Sequence, residues 1–313
     1  MEPKIFDRSD GQELRINMIS PWLKQRFGRK IVKLSLDGGF TCPNRDGSKG
    51  TGGCLFCSES GSGDMASAAL EDQIELLSDK WPDAGYIAYF QSHTNTYAPV
   101  EVLRRTFSPA LKYPDVVGIA VATRPDCLPD DVLDYLEELN RTTFLWVELG
   151  LQTIHDETAK RMNLCHDLAD YDCAVKALTG RGIRVVTHLS LGLPGESRAM
   201  MLDAVRYVCG GGATPDGPPI FGLKLHMLNV VRGSGMENAY PGYEPFASID
   251  AYVDLLIEAI ENVPPEITLH RISGDAPRST LIAPAWSYKK RTILNTIHKE
   301  MRLRNTWQGK ALE

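Results

Sequence analysis

Three cysteines, Cys42, Cys54 and Cys57, fall in one glycine-rich stretch, FTCPNRDGSKGTGGCLFCSESGSGD, with the spacing C-x11-C-x2-C. Three thiolates with no local fourth ligand make a metal site with one position open. That arrangement serves catalysis, because a substrate can reach the metal at the open position. Soft thiolates select zinc or an iron–sulfur cluster. Phe56 lies between the paired cysteines, and an aromatic ring beside the last ligand suits a flat apolar partner such as adenine better than an exposed zinc knuckle. The competing interpretation is a structural zinc loop with His93 as fourth ligand.

The other four cysteines, Cys127, Cys165, Cys173 and Cys209, form no C-x2-C pair and read as core or loop thiols. Seven cysteines is an odd number, and in a reducing compartment thiols serve as ligands or buried groups rather than disulfides. No apolar run approaches membrane-spanning length, and the opening MEPKIFDRSDGQELR lacks a signal-peptide core. A cytoplasmic protein without a membrane partner is expected. The net charge of −6 is unevenly spread. Residues 1–33 hold eight Lys/Arg against four Asp/Glu, and residues 286–313 hold seven against two. If the termini meet, they place a cationic patch where a polyanion can bind; solvated faces are the equal alternative.

These residues need a scaffold, and the pattern supplies one. Short apolar runs at 31–36, 86–91, 116–122, 144–149, 184–191 and 221–227 alternate with amphipathic segments such as PDDVLDYLEELN and SRAMMLDAVRYVC. This is the pattern of βα units in a parallel sheet. Six units predict an α/β fold, a partial (β/α)6 TIM-type barrel over residues 31–230. A basic N-terminal segment, 1–30, precedes it. An extension, 231–313, follows and covers the barrel with the helix DAYVDLLIEAIENV, the strand ITLHRI and a basic C-terminal helix. Gly210–Gly212 with ATPDGPP reads as a loop. Barrel chemistry gathers at the C-terminal strand ends, and the cysteine loop follows the first strand.

Polar groups stand just past the other strands. Gln91 and Ser92 follow the second. Thr123, Arg124 and Asp126 follow the third, with Arg124 suited to a planar fork onto a carboxylate. Glu148 and Gln152 end the fourth, and His188 and Ser190 alternate onto one face of the fifth, before Gly192 and Gly195. Lys224 and His226 share a face of the sixth, Arg232 lies in a glycine-flanked loop, and Tyr97 is a loop tyrosine.

With these motifs in register, the chain resembles the radical S-adenosylmethionine (SAM) superfamily. VELGLQT, HLSLGLPGE, LHMLNVVRGSGM and HRISGDAP are similar to segments of the radical SAM domain of the elongator catalytic subunit. CPNRDGSKGTGGCLFC and YFQSHTNTYAP resemble the bacterial YhcC/YtqA group. The resemblance implies a radical SAM barrel and a 4Fe-4S cluster on Cys42, Cys54 and Cys57, with one iron left for the amine and carboxylate of SAM. It implies reductive cleavage of SAM to a 5′-deoxyadenosyl radical, fed by a reducing partner such as flavodoxin or ferredoxin. The residues implied around SAM are Phe56, Gln91, Ser92, Thr123, Arg124, Asp126, Glu148, Gln152, His188 and Ser190. Tyr97, Lys224, His226 and Arg232 are candidates for substrate contact. YFQSHTNTY stands where the superfamily often has Gly-Gly-Glu, so the amine-binding role of Gln91 and Ser92 departs from the pattern. The implied substrate is tRNA, modified at the wobble uridine to an xnm5U-type side chain; acetyl transfer is not supported. The alternatives are a small-molecule or protein substrate, or a redox-sensing regulatory protein.

Overall fold

The computed structural model describes residues 2–8, 13–59, 61, 66, 67, 69–210, 220–274 and 276–313. The six apolar runs form β1 (Ile31–Leu36), β2 (Gly85–Phe90), β3 (Val116–Thr123), β4 (Phe144–Gln152), β5 (Arg184–Leu191) and β6 (Gly222–Met227). Three further strands follow: β7 (Val230–Val231), β8 (Thr268–Arg271) and β9 (Leu281–Ala283). All residues of β2 are buried, as expected of a strand covered on both faces.

β1 to β6 and β8 form one parallel sheet in the order β1-β2-β3-β4-β5-β6-β8, curled into a half-barrel. The sequence predicts six units, so the seventh strand is a difference. It is the ITLHRI run assigned to the extension, and the sheet therefore reaches past residue 230. A four-residue strand carries no periodicity that says which sheet it joins; that is set by its register against β6, which shifts between Leu223 and Lys224.

Parallel strands require crossover connections. These carry α2 (Leu70–Ser78), α3 (Val100–Phe107), α4 (Asp130–Thr142), α5 (Asp156–Arg161), α6 (Leu168–Gly180), α7 (Arg198–Cys209) and α9 (Ile249–Glu261), after α1 (Ile19–Phe27). The short α8 (Gly235–Ala239) and the final α10 (Lys290–Leu303) complete the chain. Side chains start several of them. Asp167 and Asp170 form a capping box on α6, Ser197 accepts from the Met200 N–H, and Ser248 accepts from the Ala251 N–H. The loop expected over 210–219 lies, after Gly210, outside the described residues.

α1, absent from the sequence expectation, closes the N-terminal end of the barrel. Its Trp22 ring packs 6.0 Å from Phe144 and 5.0 Å from Phe221, both at strand starts. Ile31, Ile87, Ala120, Trp146 and Val186 fill the space above. The termini meet at this closed end. Arg15 is buried, donating to the carbonyls of Met301 and Thr306 and to Asn305 Oδ1, while Gln308 N–H donates to the Arg15 carbonyl at 2.9 Å. A cavity opens toward the C-terminal strand ends. No helix of the described residues is long and apolar enough to cross a membrane.

Candidate metal and cofactor site

The cysteine loop is held by its own turns and by a clamp from both sides. The N–H groups of Arg45 and Asp46 return to the Cys42 carbonyl, and the Cys57 N–H to the Cys54 carbonyl at 3.0 Å. Leu55 donates its N–H to the Met162 carbonyl at 3.0 Å and accepts from the Met236 N–H at 2.8 Å, so α5 and α8 grip the loop between the cysteines. Cys54, Leu55 and Phe56 pack on an apolar cluster of Leu164, Leu193, Leu228, Val230 and Met236. Asn44, fully buried, donates to the Asn163 carbonyl and to Cys54 Sγ at 3.7 Å. The three thiols are half-buried and line one cavity of about 270 Å3 with Phe56. The hydrogen bond that the Cys54 thiol donates to Cys57, together with burial, pushes the Cys54 thiol well up.

His93 lines the same cavity, in the left-handed region with φ 58°. Among the described residues, however, no three His, Cys, Asp or Glu side chains gather as the ligands of one metal ion. Three soft thiolates lining one cavity fit an iron–sulfur guest.

The strands supply the floor. Glu148 is fully buried; Oε1 accepts from Trp146 Nε1 at 2.9 Å, and Oε2 accepts from Tyr89 OH at 2.7 Å, His188 Nε2 at 2.8 Å and Lys224 Nζ. Burial would raise this carboxyl, but Lys224 and the His188 hydrogen bond hold it well below the usual carboxylate range. Lys224 is driven down to about 7 by burial, against the pull of Glu148. Burial and the nearby Lys224 bring His188 down to about 4, so its ring is neutral near pH 7. Both Glu148 oxygens are occupied, so the ribose or amine contact expected of Glu148 is replaced by a network internal to the barrel.

Gln91, Thr123, Arg124, Glu148, Gln152, His188, Ser190, Lys224 and His226 all line the cavity with the cysteines. Ser190 donates to Gln152 Oε1 at 2.7 Å, and Thr123 and Thr96 share a hydrogen bond of 2.5 Å. Arg124 does form the expected planar fork, but onto Asp126 of its own chain, with both bonds at 2.8 Å. Its remaining donors hold the Leu164 and Cys165 carbonyls. Arg124 and Asp126 thus brace the loops around the site, and Asp126, also paired with Lys49 at 2.7 Å, does not line the cavity. Ser92 is buried outside it. Tyr97 shares a 2.7 Å hydrogen bond with Ser48 on a neighbouring groove, and Arg232 is exposed, so neither expected substrate contact faces this cavity. Gly192 and Gly195 have φ 88° and 83°, and a Cβ there would strike Phe246 and Arg161; the close approach they allow is to the chain's own side chains.

The sequence missed several lining residues: Tyr89, Arg45, His166, Asn229 and Arg271. Tyr89 looks like core in an apolar run, and Arg271 belongs to the strand whose sheet was not assigned. His226 Nε2, Asn229 Oδ1, His166 Nδ1 and His93 Nδ1 are buried without a partner. Buried polar atoms are normally paired, so four such atoms on one cavity fit a polar guest.

Residues 45–208 match the family described as Radical SAM superfamily, and residues 220–303 match the Radical_SAM C-terminal domain. The Bacillus subtilis protein YtqA is 48% identical over 309 residues, covering 96% of this chain and 94% of that protein. A Methanocaldococcus infernus tRNA uridine(34) acetyltransferase is 25% identical over 187 residues, 59% of this chain and 33% of that protein. A solved structure of the archaeal M. infernus Elp3 superimposes with a TM-score of 0.66 at 17% identity, over 89% of this chain and 64% of that one, a likeness of fold.

Proposed function

The chain belongs to the radical SAM superfamily, enzymes that bind a 4Fe-4S cluster and SAM, and from that premise we propose that it modifies the wobble uridine of tRNA. The observation carrying the site assignment is that three thiols, Phe56 and four orphaned polar atoms share one cavity at the C-terminal end of the barrel. Cys42, Cys54 and Cys57 would hold the cluster. When bound, the cluster and SAM supply a one-electron cleavage whose carbon radical removes a hydrogen atom from substrate.

The protein's part is to bind, orient and keep water out. Phe56 offers a ring face beside the cysteines, while Gln91, Thr123, Gln152 and Ser190 offer hydrogen bonds to the ribose and methionyl groups. The saturated Glu148 network fixes His188 and Lys224 without competing for the ligand. α1 and the aromatic layer above it shut water out from below. A reducing partner of the flavodoxin or ferredoxin kind supplies the electron.

The tRNA assignment rests on the similarity to the M. infernus tRNA uridine(34) acetyltransferase. The chain spans a third of that protein, and acetyl transfer is not part of the proposal. A small acidic substrate is the second reading, favoured because the basic termini meet at the closed end of the barrel and not at the mouth.

The test is 5′-deoxyadenosine formation by anaerobically reconstituted protein with SAM and reductant, with and without tRNA from a strain lacking this protein. Product that rises with tRNA supports the assignment. Product that ignores tRNA moves it to the second reading.

A further inference from the structure

Between α5 and α6 a short turn, residues 162–166, touches the cysteine loop. Its side chains alternate. Leu164 and His166 line the cavity, while Asn163 and Cys165 stay outside it and reach the loop that carries the cysteines. Asn163 Nδ2 donates to the carbonyls of Thr51 at 3.1 Å and Gly53 at 2.8 Å. The Cys165 thiol donates to Asn44 Oδ1 at 3.1 Å. The amide nitrogen of Asn44 faces the other way, onto the Asn163 carbonyl and Cys54 Sγ.

The backbone bends sharply to allow this. Asn163 and Cys165 have φ 55° and 54°, a left-handed conformation that Asn tolerates and Cys seldom adopts. Such strain persists only where the surroundings impose it. Arg124 imposes it here, holding the Leu164 and Cys165 carbonyls at 2.8 and 3.0 Å. The packing is close as well: a Cβ on Gly50 would strike Asn44 Oδ1 and come 2.8 Å from Cys165 Sγ. The buried Asn44 amide has one workable orientation, because turning it over would set its oxygen against the Asn163 carbonyl and its NH2 group against the Cys165 thiol.

We propose that Asn163 and Cys165 are positioning residues for the cluster. Asn163 holds the loop in the shape in which its thiols receive metal, and Cys165 keeps the Asn44 amide aimed at Cys54 Sγ. An N–H directed at a ligating sulfur draws charge from it and favours the reduced cluster. The inference rests on the three cysteines being the cluster ligands and is independent of the tRNA assignment.

Two measurements on the full chain test it, with three variants. Cys165→Ser keeps a donor, Cys165→Ala has none, and Asn163→Gly keeps the left-handed turn but loses the amide. In reduced, metal-free protein, alkylation of Cys54 by iodoacetamide is followed by peptide mass spectrometry. Cys165→Ala and Asn163→Gly should react at Cys54 about fivefold faster than wild type, the factor carried by one lost hydrogen bond, and Cys165→Ser at close to the wild-type rate. In cluster-loaded protein, a redox titration followed by electron paramagnetic resonance should give Cys165→Ala a more negative midpoint potential and Cys165→Ser one close to wild type. A merely structural thiol would lower the unfolding temperature and leave both readouts unmoved. Unchanged Cys54 rates in Cys165→Ala and Asn163→Gly, an unchanged potential in Cys165→Ala, or a Cys165→Ser protein that behaves as Cys165→Ala overturns the proposal. Failure of the wild type itself to load a cluster overturns the ligand assignment, and the proposal with it, whatever the alkylation rates.

Discussion

The cysteine loop and the barrel floor face each other across one cavity, yet they are built in opposite ways. The loop is glycine-rich, its thiols are half-buried, and the hydrogen bonds that hold it are mostly backbone turns and a clamp through Leu55. The floor is built on side chains in which Glu148, with no exposure, satisfies four donors from three other strands and its own. The difference teaches where the ligands go. The thiols are left to take a guest, and the saturated Glu148 network sets the shape and charge of the chamber.

The largest effect should come from the loop. Cys54→Ala removes one of the three proposed cluster ligands and should abolish both iron incorporation and SAM cleavage, read by iron content and 5′-deoxyadenosine, while the circular dichroism of the barrel is retained. A variant that keeps its cluster and its cleavage would erase the distinction between the two sides.

The floor should fail in the reverse sense, through stability. Glu148→Ala leaves Lys224 buried without its counter-ion and should cost about 3–5 kcal/mol in denaturant unfolding. The double variant Glu148→Ala with Lys224→Met should recover part of that loss, because neighbouring sites that share an interaction are not additive. Equal losses in single and double variants would show that the pair does not act as a unit.

Much of this contrast is legible in the sequence, and the illegible part has a physical cause. The cysteine spacing puts Cys42, Cys54 and Cys57 together, as they stand in the cavity, because those residues are local. Period-two alternation puts His188 with Ser190 and Lys224 with His226 on inward faces, as the cavity shows. It does not say that His188 stands opposite Lys224, or that Tyr89 and Trp146 reach the same carboxylate, because pairing between strands depends on register. Arg124 is a fork for a carboxylate as expected, yet its partner two residues on was closer than any ligand. Tyr97 and Arg232 sit in loops, where no periodicity gives a direction, and both turn away from the cavity.

Acid should sharpen the contrast further. The rings of His188, His226 and His270 are all held below the ordinary histidine value, first by burial. The unfolded chain therefore takes up protons that the folded chain refuses as pH falls below about 6.5, and for His188 this continues to about 4. Stability should drop across that window by up to about 1.4 kcal/mol per pH unit for each such histidine. His188→Gln should flatten the slope by one proton; an unchanged slope would mean that His188 is charged in the fold. Glu148, held low, adds a loss only below the ordinary carboxylate range.

A smaller effect is expected at Asn44. Asn44→Ala removes a donor from Cys54 Sγ and should make the cluster potential more negative, since hydrogen bonds to cluster sulfur favour the reduced state; a redox titration followed by electron paramagnetic resonance reads it. Smallest is Tyr97→Phe, which loses one exposed hydrogen bond to Ser48. It should cost no more than about 1 kcal/mol and leave SAM cleavage unchanged.

The central claim is that the three thiols and the strand ends form one radical SAM centre. Its most direct test is anaerobic iron–sulfur reconstitution followed by SAM and dithionite, with wild type and Cys57→Ala compared for 5′-deoxyadenosine. The account predicts a 4Fe-4S spectrum perturbed by SAM and 5′-deoxyadenosine from the wild type, and neither from the variant. A wild-type protein that takes up a full cluster but neither binds nor cleaves SAM would contradict it.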